Sequence, residues 1–184
     1  MGKLIVFNFI TLNGFFQGEH GDLSWHKHDG EEGDFSKESL QANATLLFGR
    51  TTYEMMAGYW PTKEALKNDR AVAEGMNRAE KIVFSRTLKK ADWQNTTIIK
   101  DNIAAEIRKR KQDSEKDMTI LGSGSIVNFF TEKGLIDAYE IMIDPVILGK
   151  GTPIFKGLKV QPTLKLTATR TFKSGVVLHS YTPL

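Results

Sequence analysis

Short apolar runs alternate with amphipathic stretches along this chain, and the alternation predicts layered α/β structure. Lys3–Ile10 (KLIVFNFI) reads as a buried first strand, and Thr45–Phe48, Lys81–Phe84, Thr96–Ile99 and Met118–Leu121 as further short ones. The stretches between them carry helix patterns. Phe35–Asn43 predicts a helix with Ser36 as N-cap. Thr51–Tyr59 predicts one opened by the capping-box pattern Thr51-Thr52-Tyr53-Glu54, and Lys63–Arg78 a single longer one. Asp101 is placed to cap a helix with Ile103 and Ile107 on one face, and Ser125–Lys133 a helix stopped by Gly134. The tail differs in kind. Ala138–Ile143, Thr163–Thr171 and Val176–Thr182 are strand-like, with turns at Gly149–Pro153 and Ser174-Gly175, so the last strands are expected to pair antiparallel and the sheet to be mixed. Gln17–Asp34 is polar and rich in Gly and His, and reads as a long loop.

The 184 residues suit one domain, and 40% hydrophobic with 26% charged residues is an ordinary globular mixture. The absence of cysteine excludes disulfides and Cys-based zinc sites and fits a cytoplasmic setting. The N-terminal stretch lacks a signal-peptide pattern and no apolar run approaches a membrane span, so a soluble protein without a membrane partner is expected. The net charge of +3 is mild. A solvated helix face accounts for Arg108-Lys109-Arg110-Lys111 better than nucleic acid does, and aromatics do not interleave with the basic runs, so no nucleic-acid partner is expected. A local excess of positive charge can still attract an anionic cofactor.

Three places repeat one pattern: an apolar strand and then a small or basic turn, followed at once by a helix in the first and third. They are Leu46-Leu47-Phe48-Gly49-Arg50-Thr51-Thr52, Ile82-Val83-Phe84-Ser85-Arg86-Thr87 and Thr119-Ile120-Leu121-Gly122-Ser123-Gly124-Ser125. A helix N-terminus leaves N–H groups unpaired and carries partial positive charge, so it receives phosphate well. Arg50 and Arg86 add bidentate donors. Each signal is weak alone, being more often an ordinary turn. Together, at the carboxyl ends of three strands, they predict a dinucleotide site. The fingerprint G-x-G-x-x-G is absent, since Gly122-Ser123-Gly124 runs on into Ser125-Ile126-Val127.

Gly49-Arg50-Thr51-Thr52-Tyr53-Glu54, followed by Tyr59-Trp60-Pro61, resembles the segment of the dihydrofolate-reductase-like superfamily that meets the adenosine end of NADPH. Lys81–Leu88 resembles its next cofactor-contacting strand and turn, and Leu121–Ser125 its glycine-rich pyrophosphate turn. Asp144-Pro145-Val146-Ile147-Leu148-Gly149-Lys150-Gly151-Thr152-Pro153 resembles a stretch of the branch that contains the reductase domain of the bifunctional riboflavin-biosynthesis deaminase/reductase. The resemblance runs from Leu4 to Tyr181. It implies a three-layer αβα sandwich around a mixed, mainly parallel sheet, a homodimer, and NADPH as cofactor. Gly49, Arg50, Thr51 and Thr52 would lie near the adenosine phosphates, Ser85 and Arg86 near the 2′-phosphate, and Gly122, Ser123, Gly124, Ser125 and Ile126 at the pyrophosphate. The activity implied is reduction of a small pyrimidine- or pterin-like heterocycle, similar to that of 5-amino-6-(5-phosphoribosylamino)uracil reductase. The alternative is a nucleotide-binding module of the same fold without turnover.

The chain departs from its riboflavin relatives after the first strand. Thr11-Leu12-Asn13-Gly14-Phe15 stands where they show Ser-x-Asp-Gly-Lys, and Leu121 where they tend to carry Glu. An amide cannot donate a carboxyl proton, so the phosphoribosyl-pyrimidine substrate is not carried over. Asn13 either binds substrate or simply makes the turn with Gly14. Trp25, His26 and His28 either cap substrate and nicotinamide, with His26 able to move a proton, or are exposed loop residues. Trp60 either packs under a loop or lines the cleft. The four histidines have no acidic partner at ligand spacing, so no metal is expected.

Overall fold

The strand pattern predicted from the apolar runs is realised almost residue for residue. The computed structural model describes residues 1–26, 30–41 and 43–184. Among these run β1 (Leu4–Thr11), β2 (Phe15–Gln17), a one-turn 3₁₀ helix (Glu19–Gly21), α1 (Gly30–Gln41), β3 (Thr45–Gly49), α2 (Arg50–Tyr59), α3 (Lys63–Asn68), α4 (Arg70–Arg78), β4 (Lys81–Phe84) and β5 (Thr96–Ile99). There follow α5 (Ile103–Asp113), β6 (Met118–Leu121), α6 (Gly124–Glu132), β7 (Ala138–Asp144), β8 (Thr152–Pro153), β9 (Leu164–Thr171) and β10 (Val177–Pro183). Among the described residues no helix is long and apolar enough to cross a membrane.

Eight strands form one sheet in the order β5-β4-β3-β6-β1-β7-β10-β9. From β5 to β7 every neighbouring pair is parallel, while β10 runs antiparallel to both β7 and β9. Side chains alternate between the two faces. On β3, Leu47 joins a core with Ile107 of α5 and Val127 and Phe130 of α6, whereas Leu46 and Phe48 join Tyr53 of α2 and Val72 and Met76 of α4. Nearer β7 the second face is covered by Phe35 of α1, packed with Phe7, Met142 and Phe172. The result is the mixed three-layer sandwich of the dihydrofolate-reductase-like fold. The parallel core puts the carboxyl ends of six strands along one edge.

Four local expectations fail, two of them where a distant contact overrides a local signal. α1 begins at Gly30, not Phe35, and Ser36 donates to the Glu32 carbonyl inside the helix instead of capping it. The early start is held from the other end of the chain: the Glu31 carboxylate accepts from the Lys173 N–H, and the Ser174 hydroxyl bonds the Glu32 carboxylate. α2 starts at Arg50 with Gly49 as an extended N-cap and no side-chain cap, so the capping box at Thr51 does not form. The stretch 63–78 is two helices, because Asp69 leaves the helical region to accept the Val72 N–H, just as Thr62 caps α3 on the Ala65 N–H. Asp101 does not cap α5, whose N-cap is the left-handed Asn102.

One buried cation had no sequence signal. Lys81 is fully buried, and its Nζ donates to the carbonyls of Met76 (2.8 Å), Asn77 (3.2 Å) and Ala79 (2.6 Å) while lying 4.5 Å over the Trp93 ring. Those acceptors are the last carbonyls of α4, the negative end of its dipole. The ammonium therefore fastens the end of α4 to the start of β4.

Candidate functional site

The candidate residues gather where β4, β3 and β6 end. Gly49 pairs in register with Phe84, and Phe84 with Ile99, so the turns after β3, β4 and β5 lie side by side about 4.8 Å apart. The β3 and β6 turns interlock. The Gly49 N–H donates to Ser123 Oγ at 2.8 Å, which makes Ser123 the partner of the donor that α2's N-cap presents. Gly122 has φ +60°, and a Cβ there would meet Thr52 Cγ2 at 3.0 Å. Only glycine tolerates both the left-handed backbone and this approach. Ser123 is buried and left-handed as well, with φ 56°. Arg50, Thr51 and Ser125 are exposed at the surface this produces.

α6 begins in this turn. Ile126 and Val127 both donate to the Ser123 carbonyl, and helix geometry leaves the N–H groups of the residues before them without intrahelical acceptors. Gly124 has a task inside the chain: a Cβ there would meet the Ile154 carbonyl at 3.1 Å and the Phe16 ring at 3.2 Å. Phe16 and Ile154 belong to or adjoin the small β2–β8 ribbon, which thus seats itself against the first turn of α6.

The third turn joins through a cavity of about 480 Å³. Ser85, Arg86 and Ile126 line it together with the start of α5. Its wall includes Phe84, Ile103 and Phe129, and its rim carries Arg86, Lys100, Arg108 and Asp101. Ser85 is buried and its Oγ accepts the N–H groups of Thr87 (3.2 Å) and Leu88 (3.0 Å), which shapes the turn that presents Arg86. Arg86 Nε donates to Asp101 Oδ1 at 3.0 Å. The three predicted stretches, 49–52, 85–86 and 122–126, therefore form one continuous surface. The first turn of α6 thus adjoins a cavity with an apolar wall and Arg86 at its rim, while Arg50 stands exposed at the start of α2.

A second group lies further along the same edge, at the ends of β1 and β7. The buried His26 turns Nδ1 to both oxygens of buried Asp144, at 3.0 and 2.9 Å, and stacks on Phe9 with ring centroids 3.7 Å apart. A carboxylate only accepts, so Nδ1 carries the hydrogen. Trp25 is half-buried, its indole donating to the Asp22 carbonyl, with its ring centroid 6.0 Å from that of His26. Asp144 pairs in register with Thr11, and the Thr11 hydroxyl bonds Asn13 Oδ1 at 2.8 Å. Asn13 spends the rest of its amide on Leu148, donating to its carbonyl and accepting its N–H. It clamps the loop after β7 to the loop after β1, while the turn itself closes through the Gly14 N–H on the Thr11 carbonyl. The buried Asn8 ties the two groups together, donating to the Gly122 carbonyl at 3.3 Å.

Trp60 is not brought to either group. It ends α2, donates its indole N–H to Met56 Sδ at 3.0 Å, accepts from Asn77 through its carbonyl, and packs with the core of the second face. His28 lies outside the described residues. Asp144, legible only as the start of a family-like stretch, and Asn8 escaped reading as site residues, because each looks like an ordinary end or interior position of a strand. A signal for Asp144 existed in its place before Pro145, where an apolar strand closes on a carboxylate.

The sequence model of the family described as the RibD C-terminal domain matches residues 2–178. A Bacillus subtilis (strain 168) relative, uncharacterized protein YyaP, is 35% identical over 177 residues, which is 95% of this chain and 92% of that protein. A protein from Shewanella sp. PV-4 named for riboflavin biosynthesis superposes with TM-score 0.77 at 19% identity, covering 99% of each chain. The diaminohydroxyphosphoribosylaminopyrimidine deaminase/5-amino-6-(5-phosphoribosylamino)uracil reductase of Thermotoga maritima gives 0.70 at 16% identity, covering 100% of this chain and 57% of that one. At these identities the two superpositions establish the fold.

Proposed function

Since the chain belongs to the RibD C-terminal domain family, we propose that it is an NADPH-dependent reductase of a small pyrimidine- or pterin-like heterocycle. The observation that carries this reading is the joining of 49–52, 85–86 and 122–126 into one anion-receptive surface along the carboxyl edge of the sheet. Residues from three separate stretches converge there, in the place where open α/β sheets receive dinucleotides.

The residues present fit the cofactor. The first turn of α6, with Gly122, Ser123, Gly124, Ser125 and Ile126, would receive the pyrophosphate through backbone N–H groups. Gly49, Arg50, Thr51 and Thr52 would flank the adenosine phosphates. Ser85 and Arg86 would meet the 2′-phosphate, Ser85 by shaping the turn and Arg86 by its guanidinium. When bound, NADPH supplies the hydride.

The chain's own task is to hold the acceptor in place and to keep water out. Phe9, Trp25 and the His26–Asp144 pair supply an apolar wall with one oriented imidazole at the ends of β1 and β7. Asp144 fixes the ring by holding the proton at Nδ1. Asn13 serves by joining the two loops that border this pocket, and Trp60 by anchoring the end of α2.

Thermal denaturation with NADPH, NADP⁺ and NADH, together with hydride transfer from NADPH deuterated at C4 to a panel of pterins and pyrimidines, tests the proposal. A ligand at a hundred times its Kd stabilises by about 2.7 kcal/mol, or about 5–10 °C for a chain of this size. NADPH is expected to produce such a shift and NADH a smaller one. No shift with any of the three would overturn the reading. A shift without deuterium transfer to any acceptor would leave the nucleotide-binding module without turnover.

A further inference from the structure

We infer that Asp101 is the residue that sets the preference between dinucleotides with and without a 2′-phosphate, by competing with that phosphate for Arg86. This inference rests on the dinucleotide reading of the same cavity and adds to it a residue that the cofactor motifs do not include.

Arg86 is the cation that the turn after β4 presents at the cavity rim, and its Nε is already engaged by Asp101 Oδ1 at 3.0 Å. Asp101 follows β5, the strand beside β4, so the two side chains stand at the ends of neighbouring strands. Asp101 is released for this contact because it does not cap α5, the N-cap position being taken by Asn102. Both side chains are open to solvent, Arg86 at 80% and Asp101 at 66%. An ion pair so exposed is weak. It is poised to exchange partners, not locked.

Chemistry then gives Asp101 two opposite effects on two ligands. A dianionic 2′-phosphate must take the guanidinium from the carboxylate, and must accept the carboxylate as a near neighbour of like charge. A free ribose hydroxyl has no need of the guanidinium, and a carboxylate at the end of a strand is the usual acceptor for such a hydroxyl. Lys100 and Arg108 on the same rim keep the local field positive, so the phosphate-bearing ligand is still admitted. Asp101 thereby moderates a preference that Arg86 alone would make larger. This is selectivity set by a repulsive element beside an attractive one.

The probes are adenosine 2′,5′-bisphosphate and adenosine 5′-diphosphate, titrated calorimetrically into the full chain. They differ by the one group in question and require no turnover. Asp101→Asn is expected to tighten the 2′,5′-bisphosphate about fivefold, the scale of one exposed charge interaction, and to leave the 5′-diphosphate within about twofold. In an Arg86→Ala background the same Asp101→Asn change is expected to give a smaller gain, about twofold, from relief of the like-charge contact alone. An unchanged ratio of the two affinities on Asp101→Asn would overturn the inference, and so would a gain undiminished by the loss of Arg86. Failure of the wild type to bind either probe would overturn the dinucleotide reading itself, and the selector with it. Binding of both with a flat ratio removes the selector alone.

Discussion

Replacing Lys81 by methionine examines how firmly the strand that delivers Ser85 and Arg86 is fixed. Burial pushes the Lys81 ammonium down to about 8 from 10.5, against the pull of three carbonyls and the Trp93 face toward the charged form. In the unfolded chain this lysine regains its ordinary value. Between those two values the unfolded state binds more protons than the folded one, so stability rises with pH across this window and the stabilisation is lost as pH falls through about 8. Integrated from about pH 7 to about pH 10, the single group accounts for about 2.5 kcal/mol. That is about 5–10 °C in melting temperature for a chain of this size. Other groups titrate in the same range, so the quantity to follow is the gap between wild type and Lys81→Met, by urea denaturation read through tryptophan fluorescence. Trp93 lies beside the ammonium and reports on the site directly. Methionine keeps the volume but strips three carbonyls of their donor, so the variant is expected to be the less stable protein at high pH. The gap should shrink by about 2.5 kcal/mol on going to neutral pH. A gap that stays flat between those limits would refute the account of a desolvated ammonium.

Two further substitutions test the site's construction. Gly122→Ala places a Cβ 3.0 Å from Thr52 Cγ2 on a left-handed backbone, so it is expected to destabilise by about 1–2 kcal/mol. Thermal denaturation reads this, and an unaltered melting temperature would show that the β3 and β6 turns are not interlocked. Asp144→Asn takes the charge from the acceptor of His26 Nδ1 and is expected to cost about 2 kcal/mol and to speed chymotryptic cleavage after Trp25. Cleavage at the wild-type rate would remove the anchoring role of that pair.

The sheet was legible because its strands are buried on both faces: KLIVFNFI, TLLF, KIVF and MTIL are apolar runs that no solvated element would carry. Helix starts were harder, and two of the errors trace to distant contacts. Gly30-Glu31-Glu32-Gly33 has no apolar periodicity, and it is helical because Lys173 and Ser174, some 140 residues away, meet its carboxylates. Thr51 has the right neighbours for a capping box, but Gly49 already occupies the cap and finds its partner in Ser123. The site followed the same division. The turns at 49–52, 85–86 and 122–126 could be read from local composition. The partners that fix them could not: Asp101 on Arg86, Asp144 on His26 and Asn8 on Gly122 meet in space across 15, 118 and 114 residues of sequence.

The small ribbon of Phe15–Gln17 with Thr152–Pro153 carries a consequence for how this molecule comes into being. The first turn of α6 is finished only when Phe16, from the start of the chain, and the Ile154 carbonyl, from near its end, close upon Gly124, while Ser123 waits for Gly49. No contiguous peptide contains all the contacts that complete this turn. Completing the turn takes long-range closures, which are slow beside local ones. The nucleotide proposed for this turn would then, by binding, gauge contacts made by segments near 16, 49 and 154 as much as the turn it touches.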